Sequence, residues 1–190
     1  MFIRQIALYG KFLVLKWKYR GKIWFRGVPS IYSFKNSQIL FKTSGSKIHI
    51  FSHPLSNMIG LTQRVIIVAK YGGRIEINEG VCMSGCTIYS MDSITIGKYT
   101  DIGSGCKIID NDFHPLPFSQ RFPKDQTDKI KKRPIRIGEG CFIGANSIIL
   151  KGTTLGNNCV VGAGSVVHGD WPDNSILAGN PAKLIGENQA

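Results

Sequence analysis

The sequence predicts an all-β solenoid, a fold in which short strands follow one another in stacked coils. Between residues 137 and 167 an aliphatic residue occupies every sixth position: Ile137, Ile143, Ile149, Leu155, Val161 and Val167. A small residue follows each of the first five after four positions: Cys141, Ser147, Thr153, Cys159 and Ser165. Because a helix repeats about every 3.6 residues and a strand every two, a period of six indicates a three-sided coil of about 18 residues. The aliphatic residue is predicted to point inward on each side, and the small residue to point inward near each corner.

The same period is present upstream, interrupted by a slip of one residue. Ile77 and Met83 precede the slip, and Ile96, Ile102 and Ile108 follow it. The predicted small partners are Val81, Thr87, Thr100 and Cys106, and weaker matches at Val65 and Tyr71 place Ala69 in the same slot. Three of the five cysteines, Cys106, Cys141 and Cys159, therefore occupy small inward slots and are predicted to be packing residues. Glycines after the aliphatic residue, such as Gly138 and Gly144, are predicted at corners where coils approach closely.

Composition limits the class of protein. The chain has 190 residues, is 43% hydrophobic and carries a formal net charge of +12. No stretch approaches the roughly 20 apolar residues of a membrane-spanning helix. No cleavage site follows the apolar run at residues 12–15, so we expect no signal peptide. Five cysteines without a CxxC pair predict neither a disulfide framework nor a zinc site, which fits a cytoplasmic protein.

One excursion interrupts the coils. Ile108 and Ile137 lie 29 residues apart, and the prolines and charges between them argue against another coil. The predicted loop spans residues 110–134. A long loop on a regular scaffold is typically functional or disordered, and this one contains the chemically capable residues Asp110, Asp112 and His114.

The hexapeptide period, "DNDFHP" at the start of the loop, "RPIRIGEGCFIG" after it and "AGNPAKLIG" near the C-terminus resemble the hexapeptide-repeat acyltransferases. The resemblance is greatest to small bacterial sugar and polysaccharide O-acetyltransferases of the galactoside and maltose acetyltransferase type, and covers roughly residues 65–186. It implies a left-handed parallel β-helix and a homotrimer with active sites between subunits. It also implies direct transfer of an acetyl group from acetyl-CoA to a hydroxyl or amine, without an acyl-enzyme and without a metal.

His114 matches the position of the family's general base. A sugar hydroxyl loses its proton only as it attacks, and histidine, with an ordinary pKa of about 6.5, suits that role. A carboxylate beside the ring can orient it and stabilise the imidazolium. Asp112 and Asp110 are both candidates for this carboxylate.

The resemblance also implies which residues contact the two substrates. The contacts with acetyl-CoA are assigned to Phe142, Gly144, Ala145, Ala163 and Lys183. The contacts with the acceptor are assigned to Gly85, Asn111 and Phe113. Gly85 stands near the position of an acceptor-binding asparagine in galactoside-type relatives, which argues against a simple galactoside acceptor.

The N-terminal segment, residues 1–38, is basic and amphipathic. Residues 1–75 contain 13 lysines and arginines and no acid, whereas the remainder is nearly neutral. The segment is interpreted as a cap on the open end of the solenoid or a subunit contact; the alternative is contact with an anionic membrane that carries lipid-linked sugars. Nucleic-acid binding is not expected, since no recognition motif accompanies the charge. The β-helix is predicted over residues 39–186, with a tail at 187–190.

The predicted function is acetyl-CoA-dependent O-acetylation of a sugar of a surface polysaccharide or its precursor. An N-acetyltransferase acting on an amino sugar or another amine and a non-enzymatic β-helix scaffold are the alternatives. A metal-dependent enzyme on the same solenoid would need three converging histidines, and only His114 lies in the middle of the repeat.

Overall fold

A computed structural model describes residues 12–53, 63–121 and 127–189. Residues 12–18 are helical, and they are followed by twenty strands in three sheets. Sheet A has the spatial order β1 (Ile23–Arg26), β4 (Ile48–Phe51), β7 (Cys82–Ser84), β10 (Asp101–Ile102), β13 (Phe142–Ile143), β16 (Val160–Val161), β19 (Ser175–Gly179) and β20 (Ala182–Glu187). Sheet B contains β2 (Ser30–Ser33), β5 (Ile66–Ala69), β8 (Thr87–Ser90), β11 (Lys107–Ile109), β14 (Ile148–Leu150) and β17 (Val166–Val167). Sheet C contains β3 (Gln38–Phe41), β6 (Arg74–Ile77), β9 (Ser93–Ile96), β12 (Ile135–Ile137), β15 (Thr154–Leu155) and β18 (Asp170–Trp171).

The chain visits the three sheets in turn, so each coil contributes one strand to each face of a three-sided prism. Strands three apart in the sequence pair in parallel, from β1 with β4 to β16 with β19. The final strand, β20, folds back antiparallel on β19. We name the edges of the prism after the sheets that they join. The A–B edge includes residues 103–106, 144–147 and 162–165. The B–C edge includes residues 70–73, 91–92, 110–121, 127–134, 151–153 and 168–169.

The core is the column of inward side chains that the period predicts. Ile143, Ile149 and Val161 are fully buried, as are the small corner residues Ser147 and Cys159. Burial of each aliphatic side chain contributes about 1.5–3 kcal/mol. All five cysteines are free, and Cys106, Cys141 and Cys159 are buried in the slots that the sequence assigned to them.

Corner glycines are required because adjacent coils touch there. A Cβ on Gly138 would lie 2.4 Å from the carbonyl oxygen of Gly156 in the next coil. A Cβ on Gly144 would lie 2.6 Å from the amide nitrogen of Ala163. The backbones of successive coils therefore stack directly on one another at these corners.

Three details of the sequence interpretation are wrong. Tyr71 does not continue the inward period, because it lies between β5 and β6 at the B–C edge and is 45% exposed. Thr87 is not in a small inward slot, because the one-residue slip places the fully buried Cys86 there and turns Thr87 outward. The β-helix also begins at β1, before the predicted boundary at residue 39, since β1, β2 and β3 each pair in parallel with a strand of the second coil. The period is hidden here by the 14-residue connection between β4 and β5.

The outward sides of the three sheets differ in character. Sheet C is polar and presents Arg74, Glu76, Thr95, Arg136 and Thr154. Sheet B is mainly apolar and presents Ile66, Val68, Tyr89, Ile109, Ile148 and Leu150. Sheet A is mixed and presents Trp24, His49, Cys82, Asp101 and Phe142.

The helix at residues 12–18 lies against the first coil. The Phe12 ring meets the Phe25 ring edge-on at 5.2 Å between centroids, and Tyr19, just after the helix, meets Phe41 in the same way at 5.4 Å. Residues 1–11 of the predicted N-terminal segment lie outside the described residues. In the described part of the chain no helix has the length and apolarity needed to cross a membrane.

Candidate active site

The loop at residues 110–134 leaves the B–C edge between β11 and β12, as the broken period predicts. Its two ends are joined by an antiparallel bridge between Asn111 and Lys132. The amide of Asp112 donates to the carbonyl of Lys131 at 3.1 Å, and the amide of Arg133 donates to the carbonyl of Asp110 at 2.9 Å. The base of the loop is therefore held as a short ladder, although the tip carries no strand in the part that the structure describes.

Asp110 anchors this base. Its side chain is fully buried, and its carboxylate accepts hydrogen bonds from Ser90 Oγ at 2.6 Å and from the amides of Met91 and Asp92 at 2.8 and 2.9 Å. Asn111 Nδ2 provides a fourth donor at 3.0 Å. Four donors account for the lone pairs of a carboxylate, so Asp110 fixes the loop to the preceding coil.

The next residues turn the chain so that two side chains face a cleft. Asn111 Oδ1 accepts the amide proton of Phe113 at 2.9 Å, and Phe113 has a positive φ of 60°. The Phe113 ring packs on Tyr89 of β8, with 4.8 Å between centroids. His114 follows, with its amide donating to the carbonyl of Asp112 at 2.7 Å. Both amide functions of Asn111 are thus used within the loop, which gives it a positioning role.

Asp112 lies at the foot of the same turn and forms an ion pair with Lys151 of the fifth coil. One carboxylate oxygen, Oδ1, receives the lysine, while Oδ2 is buried without a hydrogen-bond partner. Within the described chain neither Asp110 nor Asp112 hydrogen-bonds the His114 ring. Of the two, Asp112 retains an oxygen able to accept from an imidazole N–H.

His114 is exposed and lines a cleft of about 470 Å³ on the B–C edge. Tyr71, Tyr89 and Phe113 provide aromatic walls, and Lys70 and Arg121 provide cations. A larger groove of about 730 Å³ lies beside the N-terminal helix, but its described lining is chiefly apolar and contains neither a histidine nor a carboxylate. The smaller cleft is therefore the candidate for chemistry.

The residues assigned to acetyl-CoA lie together on another part of the prism. Ala145 and Ala163 are stacked on the A–B edge, and in the described chain no hydrogen bond uses the amide proton of either residue. Phe142 projects from sheet A with 52% of its surface exposed, and Lys183 is exposed on β20 at the end of the same sheet. The two free N–H groups can donate to amide carbonyls of acetyl-CoA, and the Phe142 ring can contact its apolar arm. The Lys183 ammonium group can bind its phosphates.

One chain does not bring the two groups of residues together. His114 lies on the B–C edge, whereas Ala145 and Ala163 lie on the A–B edge, across sheet B. Gly85 also lies on the A–B edge, between β7 and β8, and accepts a hydrogen bond from Gln63 through its carbonyl.

The cysteine thiols are poor nucleophiles. Burial raises the pKa of both Cys82 and Cys141 to about 11, and burial also raises the pKa of Cys86, Cys106 and Cys159. Because the thiolate is the reactive form, these cysteines are suited to packing. Among the described residues no group of three or more His, Cys, Asp or Glu side chains is arranged to hold a metal ion.

Five site residues were not identified from the sequence: Lys70, Tyr71, Tyr89, Arg121 and Lys151. Arg121 lies in the same loop as His114. The other four lie on the B–C edge or at the end of a sheet B strand beside it, in coils other than that of His114. Counting one coil of 18 residues back from Lys151 leads to Arg133 at the end of the loop. The 18-residue length of a coil was therefore the sequence signal that could have placed Lys151 beside the base of the loop.

Known proteins resemble the chain in both sequence and fold. Residues 134–168 match the family profile described as "Hexapeptide repeat of succinyl-transferase". A putative lipopolysaccharide biosynthesis O-acetyltransferase of Escherichia coli, WbbJ, is 36% identical over 123 residues, which cover 62% of this chain and 60% of that protein. Protein CapG of Staphylococcus aureus is 48% identical over 97 residues, which cover 51% of this chain and 54% of CapG.

Among solved structures, a maltose O-acetyltransferase from Clostridium difficile superimposes with a TM-score of 0.62 at 28% identity, covering 80% of this chain and 72% of that one. The N-acyltransferase AntD of Bacillus cereus has the same fold, with a TM-score of 0.62 at 18% identity over 93% of this chain and 89% of that one. These findings confirm the all-β solenoid of left-handed parallel β-helix type and the resemblance to hexapeptide-repeat acyltransferases. The chain spans about 60% or less of the length of the two curated relatives named here.

Proposed function

We propose that this protein is an acetyl-CoA-dependent O-acetyltransferase that acetylates a sugar hydroxyl of a surface polysaccharide or its precursor. The observation that carries the proposal is the exposed His114 in an aromatic cleft, on a loop whose base is fixed by the buried Asp110. Relatives named as sugar or lipopolysaccharide O-acetyltransferases support the same reaction class.

His114 acts as the general base. Its ring accepts the proton of the acceptor hydroxyl while the hydroxyl oxygen attacks the thioester carbonyl, and the proton then passes to the departing CoA thiolate. Proton transfer of this kind accelerates a reaction by about 10²–10⁴-fold. The free oxygen of Asp112 is suited to hold the ring and stabilise its charge during this step.

The A–B edge binds the donor. The unused amide protons of Ala145 and Ala163 donate to carbonyl groups of the pantetheine arm, and Gly144 permits the close stacking of their two coils. Phe142 provides a flat apolar contact, and Lys183 attracts the phosphates of CoA.

A homotrimer completes the site. The outward side of sheet B is apolar, and a face of this kind is normally covered by another surface. In a three-fold assembly with sheet B facing the axis, the B–C edge of each chain meets the A–B edge of its neighbour. His114 of one subunit then faces Ala145 and Ala163 of the next.

The N-terminal helix is a candidate contact with an anionic membrane that carries lipid-linked acceptors. Its inner side packs on the first coil through Phe12, Leu15 and Tyr19, in agreement with a capping role. Its outer side leaves Leu13, Val14 and Trp17 between 52 and 80% exposed, next to several lysines and arginines. Exposed apolar side chains flanked by cations are typical of helices that lie on anionic membranes.

Acetyl transfer to defined acceptors tests the proposal. Purified protein is incubated with acetyl-CoA and a panel of mono- and oligosaccharides, with amino sugars as a second arm, and CoA release and product mass are measured. An O-acetylated sugar formed by the native protein and not by the His114→Ala variant is expected. Acetylation confined to amines, or no transfer to any acceptor, would contradict the O-acetyltransferase assignment.

A further inference from the structure

The cleft beside His114 has an unusual distribution of charge for a site that binds a neutral sugar. Two cations line it, Lys70 and Arg121, and no described residue of its lining carries a carboxylate. Asp110 and Asp112 at the base of the loop are already engaged: four donors surround Asp110, and Asp112 pairs with Lys151. The described lining of the cleft therefore carries two positive charges and no carboxylate.

Lys70 is held in place by aromatic rings. Its Nζ lies 4.4 Å from the centroid of Tyr71 and 5.5 Å from that of Phe34. None of the ion pairs among the described residues involves Lys70. A hydrogen bond with Tyr71 is the main reason that the pKa of Lys70 is raised, so the ammonium group is charged at neutral pH. Tyr71 itself has a positive φ of 53°, an uncommon conformation for a residue with a side chain.

Arg121 also lines the cleft and is held by the backbone of the loop. Its Nε and Nη2 donate to the backbone carbonyls of Pro115 and Leu116, with the shortest contact 2.6 Å. A guanidinium has five N–H donors, so these contacts leave others for a ligand. The aromatic rings of Tyr71, Tyr89 and Phe113, which line the same cleft, suit the apolar face of a sugar ring.

We propose that the acceptor is an anionic saccharide, whose carboxylate or phosphate contacts Lys70 and Arg121 while one of its hydroxyl groups reaches His114. This inference rests on the proposed function and names the acceptor class of the same site. The negative group is either the carboxylate of an acidic sugar or the phosphate that links a sugar to a carrier. Both present the charged oxygens that lysine and arginine bind.

Matched glycosides separate the charge from the rest of the sugar. The probes are methyl β-glucoside against methyl β-glucuronide, the corresponding galactose pair, and glucose against glucose 1-phosphate. Binding is measured at low salt by calorimetry on the full-length His114→Ala variant, so that affinity is independent of acetyl transfer. Because a hydrogen bond to a charged group is the stronger kind, we expect an acidic member to bind at least about tenfold more tightly than its neutral partner.

Substitutions assign the preference to the cleft. Lys70→Met is expected to reduce the preference, since Arg121 remains, while changing the affinity for the neutral partner less than about threefold. Lys70→Arg is expected to retain the preference. Lys47→Met is the control, because it removes the same charge from an exposed position on the C–A edge.

Each outcome decides the inference. A preference for the uronides alone identifies a sugar carboxylate, and one for glucose 1-phosphate alone identifies a phosphate; both support an anionic acceptor. Acidic probes that bind no better than their neutral partners, or a preference that Lys70→Met leaves undiminished, overturn it. If the protein binds the acidic probes but acetylates no saccharide, the cleft is an anion-binding site and the proposed O-acetyltransferase function is wrong.

Discussion

Lys151, at a corner of the fifth coil, forms an ion pair with Asp112 at the base of the loop that carries His114. This contact crosses from one coil to the next and is separated by 39 residues in sequence. The remaining oxygen of Asp112 is buried and has no partner. The pair thus fixes the loop against the solenoid and keeps one carboxylate oxygen directed away from Lys151.

Removal of this lysine should destabilise the site. In Lys151→Met the half-buried Asp112 loses its counterion, and we expect the free energy of unfolding to fall by about 1–3 kcal/mol, with a lower turnover. Urea unfolding and steady-state kinetics measure both effects. Lys151→Arg should restore most of the loss, and Lys35→Met, at an exposed position, should change neither. Wild-type stability and turnover in Lys151→Met would show that the ion pair does not hold the loop.

Replacement of the base should affect chemistry and leave binding intact. We expect His114→Ala to lower kcat by about 10²–10⁴-fold, because general-base catalysis contributes that much. The melting temperature and the affinity for acetyl-CoA should stay near their native values, since the ring is exposed and is not among the groups proposed to bind the donor. His168→Ala, an exposed histidine on the same edge, is the control. A near-native kcat for His114→Ala excludes this residue as the base.

Glu79 predicts an acid-sensitive component of stability. Its carboxylate accepts hydrogen bonds from the Ser44 hydroxyl and from the amides of Ser44 and Gly45, and it pairs with Lys98. The Ser44 hydroxyl contact is the largest of the causes that lower the pKa of Glu79 from 4.5 to about 2. Since the folded state holds the charged form more strongly, this stabilisation is complete above pH 4.5 and is lost as the pH falls toward 2.

Urea unfolding across this pH range measures the effect. Glu79→Gln should be less stable than the native protein at neutral pH and should lose less stability between pH 4.5 and 2. Glu187→Gln, at an exposed position, should keep the native pH dependence. The same decline in native protein and in Glu79→Gln would contradict this role of Glu79.

The outer side of the N-terminal helix predicts binding to anionic vesicles. Trp17 is 80% exposed, and each lysine or arginine near an anionic surface contributes about 1 kcal/mol of attraction that salt screens. In cosedimentation, Trp17→Ala and the pair Lys16→Gln and Lys18→Gln should each weaken binding, and high salt should weaken it further. Trp24→Ala, on sheet A, is the control. A native protein that does not sediment with anionic vesicles leaves capping as the only supported role of the helix.

The six-residue period of the coils and the position of the loop that carries His114 could be predicted because both are local features of the sequence. A six-residue count places Ser147 and Cys159 in buried slots without any knowledge of tertiary contacts. The six-residue period did not reveal the first coils, because the long connection after β4 interrupts it. The one-residue slip also places Cys86, and not Thr87, in the inward slot. His114 was identifiable from its loop, but its cleft was not. Tyr71, Tyr89 and Lys151 reach the same edge only after several coils have stacked.

Subunit complementation tests most directly whether the active site is shared between two edges of neighbouring chains. His114→Ala removes the base from the B–C edge, and Ala163→Trp blocks the donor path on the A–B edge; each variant alone should be inactive. When both are co-expressed, random assembly gives about a quarter of the sites an intact edge from each chain, so activity should return to about that fraction of the native value. Co-expression of His114→Ala with the double variant is the control and should remain inactive. Recovery in the first mixture alone is the predicted result, and no recovery in either mixture would contradict a site formed by His114 of one subunit and the Ala163 edge of the next.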